Sequence, residues 1–201
     1  MVRVTASAKE TTRLQLLTAA AEEFARAGFE RASVDAISLA AGYAKGTIYN
    51  YFPSKEELFL AVVEEAAAQA AATAPAPADA SARERLTAAL AGFCRWAGQQ
   101  DPLARVLVRE CLMGTPGLYP RVIGAEWPLT AQLEAIVADG MQKGEIRSDM
   151  PADLLALAIA GLTDLALAQH WASDGTRPSL LDIPALVLTL LVDPRRTGND
   201  P

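Results

Sequence analysis

The sequence predicts an all-α protein, with an N-terminal three-helix unit built around a helix-turn-helix and a larger helical body behind it, about nine helices together. Three observations carry this. Half of the 201 residues are apolar, rich in Ala and Leu, with few aromatics and few β-branched runs. Apolar positions recur three and four apart, the helical period. Finally, the chain is punctuated by helix caps, glycine stops and Pro-initiated starts, and no stretch suggests a sheet.

Residues 1 to 9 are small and polar and read as a solvated tail, in which Arg3 and Lys9 can brush a phosphate. A first helix is predicted from Glu10 to Ala27, with Leu14, Leu17, Ala21 and Phe24 on its inner stripe and Gly28 as its stop. Phe29 then packs under the helix-turn-helix.

From Ser33 to Leu58 the chain reads SVDAISLAAGYAKGTIYNYFPSKEEL. Ser33 is suited to an N-cap, Asp35 suits the first turn, and Val34, Ile37 and Ala41 fall at helical spacing. Gly42 supplies a sharp turn. A second helix is expected from Lys45 to Phe52, docked by Ile48 and Phe52 and free of acidic residues. Lysine and asparagine on its outer face suit base edges in a major groove, and its hydroxyls suit phosphates. Pro53 ends it, and Ser54-Lys55-Glu56-Glu57 forms a capping box that opens the next helix.

The run Ala41-Gly42-Tyr43-Ala44-Lys45-Gly46-Thr47-Ile48-Tyr49-Asn50-Tyr51-Phe52, followed by Ser54-Lys55-Glu56-Glu57-Leu58, resembles the TetR family of bacterial one-component transcription regulators. The likeness extends upstream through Gly28-Phe29 to Leu14. Two positions depart from the family pattern. Tyr43 replaces a small aliphatic residue, which adds either a phosphate contact or a clash. Ala44 replaces a serine, losing a cap typically worth about 1 kcal/mol, so that docking on neighbours must hold the start of the reader. The resemblance implies that Lys45, Gly46 and Asn50 lie nearest base edges. It assigns Ser33, Thr47, Tyr49, Tyr51 and Lys55 to phosphates.

A connector helix is predicted from Ser54 to Thr73, apolar along Leu58, Val62 and Ala66. Alternating prolines in Ala74-Pro75-Ala76-Pro77-Ala78 then exclude a helix and mark a linker. The resulting division is a reader over 1–53, a connector over 54–73 and a body over 74–201. Ser81 and Glu84 form a second capping box, opening a helix with Leu86, Leu90, Phe93 and Ala97 on one face. Asp101-Pro102 starts the next helix, which ends near Gly114. Three prolines and two glycines between Thr115 and Pro128 predict only short helical pieces, and a helix then runs from Leu129 to Lys143, with Leu133, Ile136, Val137 and Met141 as its buried set. Met150-Pro151 opens a helix to Ser173 that is apolar nearly all round. A last helix over Ser179–Leu191 is interrupted near Ile183-Pro184. Two apolar helices ending a chain need more partner surface than one small body offers, and self-association covers them. In the family resembled, the last two helices form a homodimer interface.

The net charge of −6 argues against a protein that coats nucleic acid. Residues 1 to 55 nevertheless hold seven basic against five acidic residues, leaving eleven against nineteen for the rest. A basic end on an acidic remainder fits a DNA-reading module on a different body, the alternative being ordinary surface variation. With no apolar signal region at the start, a cytoplasmic location is expected. The longest apolar stretch, Leu154 to Leu162, is short for a bilayer, so no membrane partner is expected.

No enzyme is expected. The single histidine, His170, excludes a two-histidine metal site, no phosphate-binding glycine loop occurs, and no catalytic residue, metal or cofactor is assigned. His170 reads as a boundary residue of the dimer helix or as a pH switch. Cys94 and Cys111 read as buried hydrophobes or as a redox pair. Phe93, Trp96, Arg109, Met113, Tyr119 and Trp127 are either body core or the lining of a small-molecule site, which needs aromatics with a few polar anchors. The resemblance implies such a site. The expected function is a repressor released from a palindromic double-stranded operator by a small-molecule effector. The alternative is a helical-bundle binding or scaffold protein that has lost DNA reading.

Overall fold

A computed structural model of the chain describes residues 6–73 and 79–192. The proposed linker at 74–78 lies outside the described residues, as do Arg3 and the chain end after 192. Eight α-helices and one short 3₁₀ helix, with no strand among the described residues, give the all-α fold expected: α1 (Ala6–Arg31), α2 (Val34–Ala40), η1 (Thr47–Asn50), α3 (Lys55–Ala71), α4 (Ala82–Gln99), α5 (Asp101–Met113), α6 (Tyr119–Gln142), α7 (Ala152–Ala172) and α8 (Ile183–Leu191).

Contacts divide the chain into two compact units, one of residues up to 67 with 100–125 and one of 68–99 with 126 onward. α5 belongs to the body of the linear division, yet it packs along α1. The first unit is centred on three rings. Phe24 and Phe59 are fully buried, with ring centres 5.0 Å apart edge to face, and Phe29 meets Phe59 at 5.1 Å in a similar tilt. Leu16, Ile37, Ile48, Leu58 and Leu107 are among the side chains buried with them. Along α1 the buried stripe is Leu16, Leu17, Ala20, Ala21 and Phe24, whereas Leu14, expected inside, is 47% exposed. Leu16 takes the inward position instead, since successive helical residues are rotated by about 100° and only one of two neighbouring stripes can face the rings.

Gly28 breaks α1 as expected, with φ 77° and ψ 167°, a region that favours glycine. The break leaves carbonyls of the preceding turn without their usual partners. Arg109 of α5 supplies them, donating to the Phe24 carbonyl at 2.7 Å and the Ala25 carbonyl at 3.3 Å. A cation there also meets the negative end of the helix dipole. The next residue, Glu110, is buried, and its Oε2 accepts from the Thr115 amide at 2.8 Å and hydroxyl at 2.6 Å, closing the end of α5.

α6 is longer than the sequence suggests, running unbroken from Tyr119 past Pro128. Pro116 and Pro120 lie before or within its first turn, where a missing N–H costs nothing, whereas Pro128 stands inside the helix, where it removes one hydrogen bond of the ladder and crowds the carbonyl four residues before it. Near its start, Arg121 makes a two-pronged pair with Glu57 of α3, at 2.7 and 3.3 Å. The guanidinium's hydrogen bonds and charge hold the Glu57 carboxyl below its ordinary pKa.

In the second unit α8 packs on both α4 and α7. The Ser81 box forms as predicted, with the Glu84 amide on Ser81 Oγ at 3.3 Å and the Ser81 amide on Glu84 Oε2 at 2.9 Å. Arg85 of α4 reaches Asp139 of α6 at 2.6 Å, and Asp139 also takes Lys143 at 2.9 Å. α7 is long and apolar enough to cross a membrane by length and composition, yet it carries Thr163 and Asp164 buried in mid-helix. His170 is tied by Nδ1 to the Pro178 carbonyl at 2.8 Å. Burial pushes the Cys94 thiol up to about 12, with the charge of Asp164 adding to it, which suppresses the reactive thiolate.

Because Arg109 answers two carbonyls across α1 and α5, Arg109→Ala is expected to lower the unfolding free energy by about 2 kcal/mol, the range for charge-assisted hydrogen bonds. Urea denaturation measures it. Arg109→Lys, a point charge without the fork, should restore only part of the loss.

Candidate nucleic-acid interface

The interface starts with a cap. Ser33 is extended and its hydroxyl oxygen accepts from the Ala36 amide at 3.3 Å, so α2 begins where the sequence places it. That bond uses a lone pair and leaves the hydroxyl proton for another acceptor. Glu23 of α1 supports the same turn, its Oε1 accepting from the Ser33 amide at 3.2 Å while Arg26 donates to Oε2 at 2.5 Å. Partial burial pushes the Glu23 carboxyl upward, but the bonds from Arg26 and Ser33 and the charge of Arg26 outweigh it and hold the pKa below its ordinary value.

The reader differs from the expected Lys45–Phe52 helix. Only Thr47–Asn50 is helical, as a 3₁₀ turn, and its cap residue Gly46 has φ 82° in the left-handed region. A left-handed residue cannot continue a right-handed helix, so Lys45 and Gly46 form a turn before the reader. Neither Ala44 nor Gly46 offers a capping oxygen, and Pro53 closes the far end. The element is thereby limited to four residues.

Tertiary contacts hold it. Ser38, fully buried in α2, donates its hydroxyl to the Ala44 carbonyl at 2.8 Å and accepts the Tyr43 amide on its own carbonyl at 2.9 Å. The Tyr43 side chain turns back to α1, where its hydroxyl donates to Gln15 Oε1 and lies 3.1 Å from Thr12 Oγ1. The residue left open between a phosphate contact and a clash is therefore a fastener of the turn. Ile48 and Phe52 are buried as expected, and the Arg13 guanidinium lies 5.5 Å from the centre of the Phe52 ring.

This arrangement leaves Ser33, Lys45, Tyr49 and Asn50 exposed and Gly46, Thr47, Tyr51 and Lys55 half-buried. Lys45 Nζ lies 3.5 Å from Asp35 Oδ2. Lys55 donates to the Glu30 carbonyl at 2.9 Å and sits 4.9 Å from the centre of the Phe29 ring, with two further N–H donors to offer. The eight residues assigned to DNA thus lie on one stretch of 23 residues, without a buried hydrophobe among them.

The ligand candidates are distributed differently. In the second unit Phe93 stacks on Trp96, centroids 5.6 Å apart, and Trp96 Nε1 donates to Gln69 at 3.3 Å. Trp96 also lines a shallow cleft of about 160 Å³ with Gln69, Ala72, Thr73, Gly92, Arg95 and Gln99. That is below the ~300 Å³ at which drug-sized sites begin. In the first unit Arg109 is engaged with α1, while Met113 is 81% and Tyr119 47% exposed. Trp127 lies in α6, its side chain outside the described residues.

Ser38, Glu23, Gln15, Thr12 and Arg13 were not singled out from the sequence. Ser38 alone carried a signal, a hydroxyl between Ile37 and Leu39 in an apolar pattern.

The fastening of the turn can be measured at two residues. Tyr43→Phe removes one neutral bond and should cost about 1 kcal/mol, read by thermal melting, with faster amide exchange at Tyr43. Glu23 has a depressed folded pKa, so its contribution is full above its unfolded value of ~4.3 and is lost as the pH falls through the folded one. The stability difference between wild type and Glu23→Gln should therefore shrink as the pH falls below the unfolded value and vanish once it is below the folded one, and a constant gap would contradict this role.

Comparison with known proteins places this geometry. Residues 16–62 match the model of bacterial regulatory proteins of the tetR family, and residues 79–177 match that of a tetracyclin repressor-like C-terminal domain. A curated relative, the fatty acid metabolism regulator protein of Bacillus subtilis, is 28% identical over 182 residues, covering 89% of this chain and 93% of that protein. The HTH-type transcriptional repressor AcnR of Corynebacterium efficiens is 26% identical over 179 residues, 89% and 91% of the two chains. A crystal structure of the regulator FadR from Bacillus subtilis in complex with stearoyl-CoA superposes with a TM-score of 0.76 at 26% identity, covering 90% of this chain and 97% of that one. FadR from Bacillus halodurans, at 23% identity and a TM-score of 0.79 over 92% and 96% of the chains, shares the fold. Matched by models of one family in both its N-terminal and C-terminal parts, the chain belongs to the TetR family of bacterial regulatory proteins.

Proposed function

We propose that the chain is a ligand-responsive transcriptional repressor of the cytoplasm, working as a homodimer on a palindromic operator and performing no catalysis. The observation that carries this is the Ser33–Lys55 surface, a capped α2, a fastened turn and a row of exposed polar side chains, in a chain of this family. Lys45, Gly46 and Asn50 read base edges, Asn50 being able to make the bidentate adenine contact, and Ser33, Thr47, Tyr49, Tyr51 and Lys55 hold phosphates. Residues 1–53 are the reader, 54–73 the connector and 74–201 the body.

Dimerisation is supported by α7 and α8. Leu154, Leu157 and Leu165 on one, and Leu186 and Leu190 on the other, are each more than 40% exposed, and they recur at helical spacing. Apolar rows of this kind are covered by a second copy in helical-bundle dimers.

An effector entering the body shifts the separation of the two readers away from successive major grooves. It needs only a preference for the non-binding conformation, and about 2.8 kcal/mol changes the ratio of states a hundredfold. The stearoyl-CoA held by the Bacillus subtilis relative makes a long-chain acyl-CoA the first effector to test. Of the six candidates for its lining, Phe93 and Trp96 lie together beside the cleft of the second unit.

Gel shift on duplex DNA from beside the chain's own gene tests the reading, and the absence of any specific complex at moderate salt would sink it. Lys55→Ala should weaken binding to all duplexes alike and reduce the slope of log K against log salt by about one. A changed base preference would remove Lys55 from the phosphate group.

A further inference from the structure

The stretch from Ser33 to Lys55 holds two cations, Lys45 and Lys55, and one anion, Asp35. Lys55 is fastened by its ammonium to the Glu30 carbonyl. Lys45 is held by Asp35, which stands in the first turn of α2, so the ion pair spans the Gly42 turn and ties the positioning helix to the start of the reader. Both side chains are more than half exposed, at 65% for Lys45 and 52% for Asp35, so the pair is weak and exchangeable.

We infer that Asp35 is a positioning and specificity residue of the DNA-binding surface, holding Lys45 by an ion pair and penalising DNA that offers phosphates without the matching bases. The inference rests on the DNA-binding reading above. A duplex carries one negative charge per ~1.7 Å, and a carboxylate brought against it is repelled whatever the sequence. Nonspecific attachment depends almost wholly on phosphate neutralisation, so a carboxylate that halves the net charge of this stretch, from two to one, falls hardest on that mode. An ammonium has three donors, so Lys45 can keep Asp35 and still give a proton to a base acceptor such as guanine O6 or N7. Operator DNA returns what Asp35 takes; other DNA does not.

Asp35 in a first turn also favours the helix dipole, and that role alone would leave DNA discrimination untouched. The experiment separates the two. Duplexes enriched by the wild-type protein from a random pool, and scrambled duplexes of the same length, are titrated over a range of KCl with wild type, Asp35→Asn, Lys45→Ala and the double variant. Asp35→Asn is expected to bind scrambled duplex about tenfold tighter, with a salt slope steeper by about one, and to gain less on the enriched duplex, so the specificity ratio falls. In the Lys45→Ala background the gain should shrink. Asp35→Glu keeps the anion and should behave as wild type, and Asp35→Ser, which keeps a polar first turn, should repeat the asparagine result. Unchanged affinity and slope for scrambled duplex, or a gain undiminished without Lys45, would overturn the inference alone. Failure of the wild type to enrich any duplex would overturn the DNA-binding reading and this inference with it.

Discussion

The turn before the 3₁₀ helix is fixed by a hydrogen bond from a buried serine. Four residues of 3₁₀ helix cannot stand on their own, because nucleation costs more than so few backbone bonds return. The Ser38 hydroxyl on the Ala44 carbonyl supplies what a longer helix would supply internally. It fixes the turn just before Lys45, the Tyr43 amide returns to the Ser38 carbonyl, and Ile48 and Phe52 seat the far side. Each of these contacts is tertiary. The reader is therefore as ordered as its attachment to α1 and α2, and an outer face free of core duties can carry Asn50 and Tyr49.

The same logic decides what the sequence could show. Caps and stops are local, and Ser33, Gly28, Gly42 and the Ser81–Glu84 box were all legible because their chemistry lies within four residues. Ile48 and Phe52 were legible as a spaced apolar pair. The length of the reader was not, since Lys45 to Phe52 has a helical pattern and only the left-handed Gly46 shortens it. Tyr43 was legible as a departure but not as a fastener, because its partners Thr12 and Gln15 lie about thirty residues upstream. Arg109 is the widest case, with its acceptors 84 and 85 residues away on backbone carbonyls that no side-chain pattern advertises.

The body was less legible than the reader for a related reason. An aromatic or a charge in an amphipathic helix reads alike as core, clamp or ligand contact, and only the partner decides. Trp96 has Gln69 and the Phe93 ring, whereas Met113 and Tyr119 are largely bare. For Cys94 the environment is more telling: burial, with the charge of Asp164 adding to it, disfavours its thiolate.

Charge completes the picture of the reader. A protein that attaches to DNA by attraction alone would keep carboxylates away from its reader, whereas Asp35 stands 3.5 Å from the Lys45 ammonium. Lys55 spends one donor on Glu30, Lys45 faces Asp35, Arg13 covers the Phe52 ring, and the chain as a whole is acidic. Only the Asp35 carboxylate and the acidic balance of the chain lower the electrostatic part of binding, which is blind to sequence, since a bond to a neutral carbonyl and a ring under a guanidinium leave Lys55 and Arg13 their charge. A regulator that must leave its operator when an effector binds benefits from that balance. On the proposed reading as a dimeric repressor, the smaller the sequence-blind share of its affinity, the larger the fraction lost when two readers fall out of register with their grooves.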